Sequence, residues 1–298
     1  MEDVVNQIRP ISQEKAIKDW KKLCELDVSG VKLSGRVGNQ VMDYLFFAHR
    51  LQCRTKEGLS FLQWIDANKT KPYVIKMMRH HVENGRTELR GYYSAFQLYS
   101  HSGTIGAFKP LVAKAIVKRY NAKRVLDICS GWGGRALGAL AAGASYMGYD
   151  TNHELEEAYE RIKTLLVPSA PLVMNFQDSS QADFTGIDYD MVLTSPPYFL
   201  SGEYSQERYL HMPTYESRHD FNTRFFFPVI KKVWESLQPN GVMCLNLPVQ
   251  MYNDLAAEFT ACHETMDIGF GSRFKQGIKQ YTELLYVWKK SAQNTSED

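Results

Sequence analysis

The sequence predicts an α/β fold, a doubly wound and mostly parallel sheet preceded by a helical segment, and three observations carry that prediction. Short β-branched runs alternate with amphipathic stretches after Pro110, one of these runs passes directly into a glycine-rich turn, and the residues before Trp64 repeat with helical period. An alternating order of strands and helices buries both faces of a parallel sheet, which is the Rossmann-like arrangement.

The N-terminal 1–100 reads as a helical, basic region. Ala16, Trp20 and Leu23, then Val41 and Leu45, recur at helical spacing, with 30–38 as a break. Residues 84–108 mix Gly, Ser and Tyr and read as loops or short strands. Leu111, Val112, Ala115, Ile116 and Tyr120 then form an amphipathic helix ending at Asn121. Strands are expected over 124–128, 145–149, 172–176, 189–193 and 242–247, with helices over 135–142, 153–166 and 226–237. Apolar runs at 267–270 and 283–288 would complete the sheet as an antiparallel pair, which closes a catalytic domain over 101–290 before a polar tail at 291–298.

At 298 residues the chain is long enough to bury a full core. It opens without a basic and apolar leader, and no apolar stretch is long enough to span a bilayer, so an intracellular, cytoplasmic protein without membrane contact is expected. Five cysteines without a CxxC pair suggest neither a zinc site nor a disulfide framework. The net charge of +2 conceals an asymmetry: residues 1–125 hold 22 Lys and Arg against 11 Asp and Glu, while 126–298 hold 13 against 22. Either the basic half is a footprint for a polyanion, or its charges are ordinary solvated helix faces.

Two motifs carry chemistry. In 126–135 a buried strand runs into Cys129-Ser130-Gly131-Trp132-Gly133-Gly134, where bare backbone and a helix start suit a nucleotide-like ligand. Asp150 ends the next strand, 23 residues after Asp127, where an acid can bind both hydroxyls of a ribose. The third glycine of a dinucleotide fingerprint is replaced by Ala136. Asp178, after the third strand, either accepts from an adenine amino group or caps a turn. The second motif is Thr194-Ser195-Pro196-Pro197-Tyr198 at the end of a buried strand. Two prolines fix the backbone and supply no N–H, so Ser195 Oγ and the Pro196 carbonyl can face a donor, an exocyclic amine, with Tyr198 stacking on its ring. Between Phe199 and Arg224, aromatics such as Tyr204 alternate with Arg208, Arg218 and Arg224, a mixture suited to bases and phosphates or to a self-packed loop. Arg273 and Lys275 offer a second phosphate contact.

With these residues the chain resembles the DNA amino-methyltransferases acting on adenine N6 or cytosine N4, over roughly 101–290. That family pairs a glycine-rich first motif with a Pro-Pro-aromatic motif preceded by Asp, Asn or Ser. The resemblance implies S-adenosylmethionine as cofactor, with Phe108, Lys109 and Pro110 along its methionine end and Asp127, Cys129, Gly131, Trp132, Gly133, Asp150 and Asp178 around the rest. It implies Ser195, Pro196, Pro197 and Tyr198 as the catalytic set and DNA as substrate, single-stranded or double-stranded with a flipped base. Cys129 departs from the family's usual Phe, and Ser195 leans toward cytosine. No long insert separates the motifs, so target choice falls to the basic N-terminal region, to the segment after Tyr198, or to a dimer mate or partner subunit. RNA bases and glutamine amides are alternative acceptors, and a catalytically silent nucleic-acid-binding subunit is the alternative outside enzymology.

Overall fold

The protein is described from a computed structural model. It covers the chain except 31, 32, 34, 55–57, 101–105, 200–213, 270–272, 276, 277, 282 and 293–298, with backbone only at 273–275, 278–281 and 283. Tyr204 and Arg208 therefore lie outside the described residues, as do the side chains of Arg273 and Lys275.

Nine strands and twelve α-helices are found among the described residues. The main sheet has the order β3 (Leu172–Asn175), β2 (Ser145–Tyr149), β1 (Arg124–Asp127), β4 (Met191–Thr194), β5 (Val242–Pro248), β9 (Glu283–Lys289), β6 (Glu264–Met266). The first five are mutually parallel, while β9 runs antiparallel to both β5 and β6. The doubly wound, mostly parallel sheet with an antiparallel C-terminal strand is thus as expected. Its sixth strand starts earlier than the apolar run at 267–270, at Glu264. Arg273 and Lys275 belong to β7 (Arg273–Lys275), which pairs only with β8 (Ile278–Tyr281) in a separate ribbon.

Strand order reverses between β1 and β4, whose Leu126 and Val192 are register partners. The crevice beyond the carboxyl ends of strands at such a reversal is where an open α/β sheet binds ligands. The glycine turn leaves β1 here, Ser195 leaves β4 beside it, and Asp150 leaves β2 on the far side of β1.

One face of the sheet is covered by α7 (Pro110–Arg119), α8 (Gly134–Ala141) and α9 (Glu156–Leu165), together with α2 (Gln13–Glu25) and α3 (Asn39–Gln52) of the N-terminal region. Trp20, Leu23, Val41 and Phe46 share a single core with Leu111, Ile116 and Leu137. Side chains from before and after residue 100 therefore pack together in this core. Asp19 caps α3 by accepting from Gly38, Gln40 and Val41 N–H at 2.8–3.1 Å. Lys114 is 3% exposed, and its Nζ donates to the carbonyls of Leu23, Cys24 and Leu26 at 2.7–2.8 Å, which closes the end of α2 onto α7. On the other face, α11 (Phe227–Ser236) and α12 (Val249–Glu258) cover β4 and β5.

The outer N-terminal helices α1 (Glu2–Ile8), α4 (Phe61–Asn68), α5 (Pro72–Glu83) and α6 (Glu88–Tyr99) gather around Phe47, Phe61, Trp64 and Phe96. Helix α6 corrects the expectation of loops or strands over 84–108. Thr87 caps it, and Gly91 is the reason it fits, since a Cβ there would stand 2.6 Å from Met78 Cα on α5. A residue with poor helix propensity is kept because two helix backbones touch at it. The end of the 199–224 loop is likewise helical, as α10 (Arg218–Phe221) followed by a π-turn over Asn222–Phe226.

Candidate functional site

Each glycine of the turn after β1 has its own reason. Gly131 and Gly133 have φ of +56° and +70°, the left-handed region that side chains disfavour. At Gly133 an added Cβ would lie 2.3 Å from the Phe46 ring, and at Gly134 it would lie 1.7 Å from the Phe108 carbonyl oxygen. These two glycines are filled from behind, by α3 and by the segment leading into α7. Gly131 differs: its nearest neighbour would be the Cys129 carbonyl at 4.0 Å, so its outer side is bare. A ligand can approach the backbone there.

The turn is held by buried polar groups. Asp127 is fully buried; it accepts from Arg135 Nε at 2.6 Å, Tyr146 Oη at 2.7 Å and Cys129 N at 3.2 Å. Arg135 also donates to the Cys129 carbonyl. Burial works against the Arg135 charge, but Asp127 beside it holds its pKa above the usual arginine range. Asp127, expected among the cofactor contacts, is 0% exposed and fixes the turn from beneath. Tyr159 on α9 does so from the side, accepting from Gly133 N–H at 3.2 Å and donating to the Gly131 carbonyl at 2.9 Å. Phe46 meets the Tyr159 ring edge-on at 5.0 Å.

Asp150 is half-buried. Its Oδ2 accepts from Gly131 N at 2.6 Å and its Oδ1 from Asn152 N at 2.9 Å. Each oxygen keeps a further lone pair for a hydroxyl donor. Burial raises its pKa, and the two N–H donors oppose that rise. Asp178 caps the turn over Ser179–Gln181, with Oδ1 accepting from Ser180 N at 2.8 Å, so capping is realised. Cys129 and Trp132 are half-buried at the turn, and the Cys129 thiol is pushed well up by burial, Asp127 and Asp150. Phe108 lies under the Arg135 guanidinium at 5.3 Å, while Lys109 and Pro110 open α7.

Beyond β4, Pro196 and Pro197 are buried and Ser195 is half-buried. Ser195 Oγ and Tyr198 Oη are 2.9 Å apart, and Tyr198 Oη donates to the Asn246 carbonyl at 3.1 Å. The tyrosine has one hydroxyl proton. With that proton on Asn246, Ser195 donates to Tyr198 and both Ser195 lone pairs remain outward-capable acceptors. Asn246 sits on β5, one residue past Leu245, the partner of Thr194, and its side chain donates to the Leu284 carbonyl at 3.2 Å on β9. The expected stacking platform at Tyr198 is therefore first a positioning group for Ser195, its ring half-buried against the core beneath α11.

Of the described substrate contacts expected after Tyr198, Phe199 and Arg218 are engaged within the fold. Phe199 is 1% exposed and faces Phe221 at 6.0 Å, so it belongs to the core. Arg218 donates to Asp254 at 2.6 Å and to the Gln250 carbonyl at 2.8 Å, which fastens α10 to α12. Arg224 pairs with Asp220 at 3.1 Å yet keeps 60% of its side chain exposed. Four residues central to this site, Phe46, Arg135, Tyr159 and Asn246, were missed in the sequence. A buried arginine eight residues after Asp127 is the one local signal among them.

The sequence matches no family model and no curated protein. Similar solved structures include TrmN from Thermus thermophilus, 16% identical with a TM-score of 0.42 over 62% of this chain and 50% of that one. A SAM-dependent O-methyltransferase from Thermotoga maritima is 16% identical with a TM-score of 0.41, over 66% of this chain and 70% of that one. An RNA methyltransferase from Salinibacter ruber, in complex with S-adenosyl-L-homocysteine, is 16% identical with a TM-score of 0.40 over 65% and 98% of the two chains. The chain spans half the length of the TrmN chain it matches. No described helix is long and apolar enough to cross a membrane.

Proposed function

We propose that the protein transfers a methyl group from S-adenosylmethionine to the exocyclic amino group of a nucleobase, in DNA and with cytosine N4 favoured over adenine N6. What supports this reading is the adjacency of β1 and β4: the turn that holds Gly131 and the turn that holds Ser195 leave neighbouring parallel strands at the sheet's switch point.

The residues fit the cofactor. Asp150 offers lone pairs to a ribose, Gly131 lets the ligand meet the backbone, and Cys129 and Trp132 line the turn. When bound, the cofactor supplies an electrophilic methyl on a cationic sulfur. The chain's task is then to prepare the amine, whose lone pair is delocalised into the ring. Ser195 Oγ and the Pro196 carbonyl accept its two hydrogens and favour a pyramidal nitrogen with a localised lone pair. A methyl supplied there would pass to this nitrogen, with the bonding pair left on sulfur and the surplus proton released to solvent. Tyr198 holds Ser195 in the accepting orientation. The basic N-terminal half supports a polyanionic substrate over a protein amide.

Nucleoside mass spectrometry of DNA and RNA incubated with the protein and isotopically labelled cofactor tests the reading. N4-methylcytosine or N6-methyladenine in DNA is the expected product, and methylation of RNA alone would move the substrate class. Ser195→Ala should lower turnover by about 100-fold with calorimetric cofactor affinity retained. No methylated base in either polymer overturns the reading.

A further inference from the structure

Part of the basic charge of the N-terminal half is used internally. Arg9 and Arg50 are both bound to Asp43, Lys69 to Asp66, and Lys114 is buried on the end of α2. Helix α5 keeps its cations. No Asp or Glu occurs between Asp66 and Glu83, and Lys71, Lys76 and Arg79 are exposed and make no ion pair among the described residues.

Spacing puts Tyr73, Lys76 and His80, with Arg79 alongside, on one face of the helix. The opposite face is used up: Val74 is fully buried, His81 is 6% exposed, and the Met78 backbone lies under Gly91 of α6. Tyr73 is 37% exposed and leans on Tyr99 at 4.5 Å, which adds an aromatic pair beside the cations. Lys71 stands at the N-cap, where a cation opposes the helix dipole and no first-turn acid offsets it. Local stability does not account for that choice.

We propose that the outer face of α5, formed by Tyr73, Lys76, Arg79 and His80 with Lys71 at its start, docks the phosphodiester backbone of the nucleic-acid substrate. The proposal rests on the nucleobase reading above. From Lys71 to His80 the helix spans about 14 Å, a length of duplex axis carrying about eight phosphate charges. An anionic membrane is a poorer match, because an interfacial helix must bury an apolar face and that of α5 is already occupied. The surface also has a rigid route to the site. Helix α3 presents Phe47 to the core beneath α5 and α6, and the adjacent Phe46 to Gly133.

The test is fluorescence anisotropy of a labelled 20-base-pair duplex, its single strand and the matching RNA against the full chain at several salt concentrations. The variant Lys76→Glu/Arg79→Glu should weaken binding by about tenfold or more and reduce the salt slope by about 1.8, two phosphate contacts at roughly 0.9 each. Lys15→Glu/Lys18→Glu on α2, equal in net charge change, should leave the slope near the parent value. Equal losses in both variants, or no loss in the first, overturn the proposal. So does binding of phosphatidylserine vesicles, in place of nucleic acid, that the first variant abolishes. Base methylation that proceeds without any effect of the α5 variant would sink this inference alone. An α5 effect on binding without any methylated base would sink the chemistry and leave the docking face standing.

Discussion

The two turns that meet at the switch point are built in opposite ways. The glycine turn after β1 is held by side chains from five elements: Asp127, Arg135, Tyr146, Tyr159 and Phe46 all converge on it. The turn after β4 is stiffened by its own two prolines and carries a relay from Ser195 through Tyr198 to Asn246. The first is overdetermined by packing and the second largely by covalent structure. Changes at the first should therefore cost stability as well as ligand binding. Changes at the second should cost chemistry and leave the fold nearly intact.

The sharpest way to break this contrast is Asp127→Ala. It strands the Arg135 guanidinium in the core and should destabilise the protein by about 3–5 kcal/mol, read from the denaturant midpoint. Ser195→Ala, on the other turn, should cost less than about 1 kcal/mol of stability by the same measurement. Equal losses at the two positions would erase the distinction. Tyr159→Phe tests whether the glycine turn is a binding element as well as a packed one. It removes both hydroxyl bonds and should cost about 1–2 kcal/mol while weakening cofactor binding more than it lowers turnover at saturation. A kcat effect alone would argue that Tyr159 serves something other than the turn. The smallest effect concerns Cys129. Because burial and the two carboxylates push its thiol up, the thiolate fraction near pH 8 is low. Alkylation followed by peptide mass mapping should find it at least about tenfold slower than a free thiol. Rapid labelling would mean that the turn opens far more often than its packing implies.

Much of the fold could be read directly. The strands near 189 and 242 are apolar runs buried along their length in the middle of the sheet, and the parallel order of the five strands near 124, 145, 172, 189 and 242 follows from the helices between them. Helix α6 was not legible, because its Gly and Tyr pair favours other local structures and its helicity depends on the contact of Gly91 with Met78. Within the 199–224 stretch, Phe199 is consumed by the core and Arg218 by α12, uses that its arginines and aromatics do not announce. Sequence displays the type of a side chain and not which neighbour has already claimed it.

Sequence alone determined that a glycine turn and a Ser-Pro-Pro-Tyr turn end two buried strands, since backbone freedom at Gly131 and rigidity at Pro196 and Pro197 are properties of those residues wherever they lie. Only the tertiary structure decided that the two strands are neighbours, that Asp127 faces inward to Arg135, and that Tyr198 turns to Asn246. Those outcomes depend on contacts between residues far apart in the chain, and a hydrogen bond or a packed ring exists only once both partners have been brought together.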